Sequence, residues 1–166
     1  GILRDVGLIK GDWYTEWARE RGTAVHHGLR MVDLLLCAVD DVPERWRPYV
    51  RQWVAFRDRE VTEIHVNEEP LANHGLQFCG TPDRVVTYRR FPTIFDFKTG
   101  YPEQWHATQT ALYSLLLPDP WRYRRGALYL DGSEKPARLV MHEEKSDLDV
   151  ARAAVTVSCA IRRRNR

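Results

Sequence analysis

The stretch GTPDRVVTYRRFPTIFDFKTG, residues 80–100, decides how the rest of this chain is read. Within it IFDFK has the period of an extended strand, so Asp96 and Lys98 project to one face and Phe95 and Phe97 to the other. The polar pair faces a site and the aromatic pair faces a core. Residues 79–88 also read as a strand, and a tight connection around Arg89, Arg90, Phe91 and Pro92 folds it back as a hairpin. That hairpin brings Asp83 next to Asp96. Gly80 and Pro82 weaken a regular ladder just before Asp83, because proline donates no hydrogen bond and glycine marks a bulge or a close approach. Such irregularity can re-aim a carboxylate, and it is equally a feature of edge strands.

Two converging carboxylates suit a hard divalent cation such as Mg²⁺, which takes oxygen ligands octahedrally from one or two carboxylates, water and phosphate. The backbone carbonyl of Phe97 can complete the set. Lys98, beside it, is placed to stabilise charge on a phosphate oxygen and to position or activate an attacking water. This is apparatus for phosphodiester hydrolysis. A single D-x-K on a strand is more often a solvated salt-bridge pair, so the weight rests on the ordered set of residues around it.

Pro82-Asp83, Asp96-Phe97-Lys98, Gln109 with Tyr113, and His26 in GTAVH together resemble the PD-(D/E)XK nuclease superfamily, in its RecB-like and phage-type exonuclease branch. The resemblance spans residues 21–117. It implies an α/β (α+β) protein with a restriction-endonuclease-like core, a central mixed β-sheet flanked by helices. It also implies Mg²⁺ or Mn²⁺ held by His26, Asp83, Asp96 and the Phe97 carbonyl, with Asp83, Asp96 and Lys98 as the catalytic set. His27 is the neighbour not expected to bind. Glu63 resembles the acid that relatives carry on the preceding strand, a metal-site or second-metal ligand, although taken alone it reads as surface strand charge, and Glu68 or Glu69 is easily confused with it. Gln109 and Tyr113 are four apart on one helical face and are expected to position DNA. The implied activity is a metal-dependent deoxyribonuclease, an exonuclease on DNA ends or single strands. A helicase, recombinase or single-strand-annealing partner fits that role. The alternative is an inactive nucleic-acid-binding or assembly module with the same fold.

At 166 residues and 43% apolar content the chain suits one globular domain. Residues 1–59 read as a helical lead-in carrying His26, 61–117 as the catalytic sheet and Q-xxx-Y helix, and 125–166 as closing strands and a helix. A net charge of +2 does not by itself call for a nucleic acid. Its distribution is more suggestive: arginine dominates the cations, interleaved with aromatics in WRYRR and repeated in the RRRNR tail. Cys37, Cys79 and Cys159 are scattered without CxxC spacing, so reduced, mostly buried thiols are expected, with neither zinc nor an iron–sulfur cluster. No apolar run approaches the roughly 20 residues that cross a bilayer, and GILRDVGL has no signal pattern, so a cytoplasmic protein of bacterial or phage type without a membrane partner is expected.

Outside the central stretch, residues 12–21 have helical spacing with Trp13 and Trp17 directed to a core, and Gly22-Thr23 breaks and restarts the helix. The second helix is expected to reach Ala38 with Val25, Leu29, Val32 and Leu36 buried. Pro43 opens a third helix, in which Tyr49, Trp53 and Phe56 pack while Arg47, Arg51, Arg57 and Arg59 stay solvated. Residues 61–66 read as a strand, 69–75 as a turn and Leu76 as the start of the next strand. A helix follows over 103–117, then strands over 126–130 and 137–141 joined by an Asp131-Gly132-Ser133 turn. Asp147 caps a last helix to Arg163 with Val150, Ala154, Val157 and Ile161 inward.

Overall fold

The computed structural model describes residues 1–10 and 15–165. At its centre, β4 (Arg84–Tyr88) and β5 (Phe91–Lys98) form the expected hairpin, with Arg84 opposite Phe95 and Tyr88 opposite Phe91. Arg89 and Arg90 turn the chain with φ of 46° and 73°, left-handed values that a two-residue hairpin demands and that glycine or asparagine normally supplies. Glu60 secures this turn: its carbonyl accepts the Arg89 N–H at 3.3 Å and its carboxylate accepts Arg89 Nε at 2.7 Å. Pro92 lies inside β5, one residue before the β5–β6 ladder begins, where its missing N–H leaves no bond unmade.

Around this hairpin a mixed five-stranded sheet forms in the order β1-β4-β5-β6-β7, where β1 is Val61–Asn67, β6 Arg124–Tyr129 and β7 Arg138–Met141. Only β5 and β6 run parallel. A parallel pair needs a crossover, and α4 (Trp105–Ser114) supplies it. Helices α2 (Glu16–Asp33) and α3 (Arg47–Glu60) cover one face, packing Val25, Leu29, Trp53 and Phe56 on Phe95 and Phe97. Burying each of these large side chains stabilises the fold by roughly 1.5–3 kcal/mol. On the other face α4 packs with α5 (Ser146–Arg164) and the short α1 (Ile2–Asp5) through Leu3, Ala111, Leu112, Leu115, Ala151 and Val155. The fold is the expected α/β sandwich.

Several elements depart from expectation. Helix α2 runs through Gly22-Thr23 without a break, capped by Thr15, whose hydroxyl accepts the Ala18 N–H at 3.1 Å. An internal glycine costs about 1 kcal/mol relative to alanine, which burial of Val25, Leu29 and Val32 outweighs. Trp13 lies outside the described residues, and Trp17 is 53% exposed rather than core. The helix ends at Asp33; the chain reverses at Leu35, φ 57°, which leaves Leu36 exposed. Helix α3 begins at Arg47, with Pro48 in the first turn, where no N–H is needed. Arg57 is not solvated but bound to Asp33.

Residues expected as turn and strand between 69 and 80 form a separate two-stranded hairpin, β2 (Leu71–Asn73) with β3 (Phe78–Gly80). Cys79 on β3 is exposed, contrary to the expected burial. Helix α5 starts at Ser146, and Asp147 in its first turn pairs with Arg125 at 3.2 Å instead of capping. Its inward stripe is Ala151, Ala154, Val155 and Ser158; Val150, Val157 and Ile161 are exposed. The helical phase fixes a stripe's period, while the partner helix selects which of two adjacent stripes is covered. At the end of α5 Arg162 is bound to Asp5 and Arg163 to Gln77, so both are engaged.

Candidate metal centre

Alternation along β5 sends Asp96 and Lys98 toward α4, as the sequence implies, and both are held there. Asp96 is 1% exposed. Lys98 Nζ lies 2.6 Å from Asp96 Oδ2 but off the line of a hydrogen bond, and that carboxylate oxygen has no hydrogen-bond partner. Lys98 donates instead to Gln109 Oε1 at 2.8 Å, and Gln109 Nε2 donates to the Tyr113 hydroxyl at 2.9 Å. The Q-xxx-Y face of α4 thus fixes the lysine. Burial, with Asp83 and Asp96 nearby, pushes the Tyr113 hydroxyl well above its ordinary range, so it stays a neutral phenol.

Asp83 sits just before β4, in the irregular segment that Gly80 and Pro82 mark. Its Oδ2 accepts the backbone N–H of Phe97 at 2.7 Å, and its Oδ1 lies 3.4 Å from His26 Nδ1. His26, one position from Val25 on α2, also places Nε2 3.2 Å from the Phe97 carbonyl. Of the residues expected at the site, His26, Asp83 and the Phe97 backbone meet directly, and Asp96 pairs with Lys98 on the adjoining face of β5.

Glu63 does not join them. It is opposite Thr87 in the β1–β4 ladder, exposed, with its carboxylate 3.7 Å from His65 Nδ1. Glu68 is the glutamate that stands beside His26, 3.5 Å from its Nδ1. The pairing of Asn67 with Arg84 explains why, since the next residue out on β1 then lies across from Asp83. Glu68 has φ 54°, and its N–H donates to the Asp83 carbonyl at 3.1 Å. His26, Glu68 and Asp83 each offer one donor atom, all within 4.8 Å of one another.

The charges of these groups act on one another. Burial disfavours the His26 imidazolium, yet Asp83, Glu68 and Asp96 outweigh it and hold the ring's pKa up at about 10. Burial likewise opposes the Asp83 carboxylate, but His26, Lys98 and the Phe97 N–H keep it below the usual range. For Asp96 burial prevails over Lys98, and with Asp83 beside it the pKa rises to about 6. Two acids facing a histidine nitrogen that can yield its proton to a metal, beside a buried carboxylate whose close neighbour is the Lys98 ammonium, are a donor set that fits a divalent cation.

A second set of residues, not singled out from the sequence, holds Asp83 in place. Arg84 is 1% exposed; its Nε donates to Asp33 Oδ2 at 2.8 Å and its Nη1 to the Asp83 carbonyl at 2.5 Å. Asp33 also accepts from Trp53 Nε1 at 2.9 Å and Arg57 Nη1 at 2.7 Å. This buried network locks α2, α3 and the start of β4 together. Nothing in the local sequence reveals it, because Asp33's partners lie 20 to 51 residues away from it.

A mixed sheet sandwiched by helices, with Asp83 before one central strand and Asp96-x-Lys98 on the next, defines a class of protein. The family model of the PD-(D/E)XK nuclease superfamily matches residues 13–163, and the chain belongs to that superfamily. No curated protein matches the sequence closely enough to supply a nearer relative.

Proposed function

We propose that this chain is a Mg²⁺- or Mn²⁺-dependent deoxyribonuclease that hydrolyses phosphodiester bonds, an exonuclease acting on DNA ends or single strands. The observation that carries the reading is the convergence of His26, Glu68 and Asp83 on one point beside the buried Asp96–Lys98 pair. His26, Asp83, Asp96 and the Phe97 carbonyl, with Glu68 in the role first given to Glu63, would hold the cation. A bound cation supplies Lewis acidity at the phosphate and acidifies a water. Lys98, oriented by Asp96 and Gln109, presents its ammonium to charge growing on a phosphate oxygen and positions the attacking water. Gln109 and Tyr113 keep that lysine in place and line the path of the strand.

The test incubates the parent chain, Lys98→Ala and Asp96→Ala with end-labelled single- and double-stranded DNA, linear and circular, in Mg²⁺, Mn²⁺ or EDTA. The expected result is metal-dependent degradation of linear DNA by the parent only, with circles spared. Full turnover by either variant removes the mechanism. Cleaved circles make the enzyme an endonuclease, and folded parent protein that cuts nothing is a binding module.

A further inference from the structure

One aromatic feature is unexplained by the centre itself. A cavity of about 580 Å³ opens beside it, lined by Trp17, Arg21, His26, Lys98, Tyr101 and Trp105 among others. Its inner end is therefore the cluster's own histidine and lysine, and its rim is aromatic. Trp17 is 53% exposed, with its ring 6.5 Å from that of the buried Trp46, and Tyr101 is 90% exposed. The Arg21 guanidinium stacks over the Trp17 ring at 4.4 Å, and the Lys98 ammonium lies 5.0 Å from the Trp105 ring. Arg21 Nε has no hydrogen-bond partner in the described structure. A single exposed ring is ordinary on a protein surface, but those of Trp17 and Tyr101 both border the cavity that reaches His26 and Lys98.

We infer that this groove is a stacking platform that selects unpaired DNA and feeds it to the metal centre. Aromatic faces bind any base whose own face is free, and arginine adds cationic stacking and phosphate contact. In an intact duplex the base faces are occupied by neighbouring pairs, so such a platform takes only single strands and frayed ends. The cations Arg21 and Lys98 match the charge of the backbone that would run between the rings. Trp17, Arg21 and His26 all line this cavity, so its aromatic rim and the cluster's histidine share one surface. The inference rests on the nuclease reading for the fate of the strand, but strand binding is readable without cleavage.

The test measures fluorescence anisotropy of a labelled oligothymidylate and of a blunt duplex with the full chain in EDTA, where nothing is cut. The parent is expected to bind the unpaired strand more tightly than the duplex. Tyr101→Ala and Trp17→Ala should each weaken single-strand binding by roughly tenfold, and Trp17→Phe should restore most of the loss. Val157→Ala trims an exposed apolar side chain on α5, away from the cavity lining, and should change nothing. With metal added, the two alanine variants should raise KM for single strands at nearly constant kcat. Tyr101 is almost fully exposed, so its replacement cannot act through misfolding. Equal binding by parent and both alanine variants, or a parent preference for duplex, overturns the inference. If strand binding follows the expectation but no DNA is cut, the platform stands and the nuclease reading falls; cutting with unaltered binding in the variants gives the reverse.

Discussion

The backbone N–H of Phe97 donates to Asp83 Oδ2 at 2.7 Å, which ties the residue before β4 to the strand carrying Asp96 and Lys98. A carboxylate anchored through one oxygen keeps the other, 3.4 Å from His26, in a fixed position. Asp83→Asn and Asp83→Ala should therefore separate two roles. Both should weaken Mn²⁺ binding by roughly 10- to 100-fold or more. Only the alanine leaves the buried Phe97 N–H without an acceptor, so it should be less stable than the asparagine variant by about 1–3 kcal/mol. Calorimetric titration and urea unfolding measure the pair, and equal stability would show that the bond does not anchor Asp83.

Glu68 and Glu63 offer a direct contrast. Glu68→Gln removes charge 3.5 Å from His26 Nδ1, while Glu63→Gln alters an exposed side chain near His65. The first should weaken Mn²⁺ affinity by at least roughly tenfold and the second should leave it unchanged. The opposite order would return the acidic position to Glu63.

Metal binding should release protons and tighten with rising pH. In the metal-free chain the three acids around His26 hold it charged up to about pH 10, and burial leaves Asp96 titrating near pH 6. A ligand atom must give up its proton to the cation. Apparent Mn²⁺ affinity should therefore rise from pH 6 upward. The heat of binding should differ between buffers of different ionisation enthalpy. The metal-free protein moves the other way: a raised histidine contributes stability that is complete below pH 6.5 and is lost as pH rises through about 10. Buffer-independent heats would sink the assignment of His26 as a ligand.

Asp33 should be among the costliest positions to change. Its carboxylate accepts from Trp53, Arg57 and Arg84, and its side chain is fully buried. Asp33→Ala leaves the Arg84 charge buried without its counter-ion, a loss of about 3–5 kcal/mol. For a chain of this size that lowers Tm by on the order of 10 °C. A melting point within a degree or two of the parent would contradict the account.

Mild acid should destabilise the half built on α4. His106 is buried against Tyr129, its Nδ1 2.8 Å from the hydroxyl, and burial, Lys98 and His142 lower its pKa to about 3. The unfolded ring takes a proton near pH 6.5 and the folded ring only near 3, so stability is lost as pH falls through that window. His142, lowered to about 4 chiefly by its own burial, adds in the same direction. Urea midpoints at pH 7.5, 6 and 5 should fall steadily in the parent and less in His106→Gln; parallel slopes would refute the assignment.

The sequence by itself determined the parts whose physics is local. Period-two alternation put Asp96 and Lys98 on one face of β5, the tight Arg89-Arg90 connection set the hairpin register that places Asp83 beside Asp96, and four-residue helical spacing stacked Gln109 on Tyr113. Only the tertiary structure decided which acid stands beside His26, because that depends on where β1 ends against β4 and on the left-handed turn at Glu68. It alone joined Asp33 to Arg84 across 51 residues. It alone left Trp17 in the groove and turned Val150, Val157 and Ile161 outward, since a helical period marks a stripe without saying what will cover it. Faces, spacings and turns are properties of neighbouring residues, whereas burial and charge pairing belong to the surfaces that folding brings together.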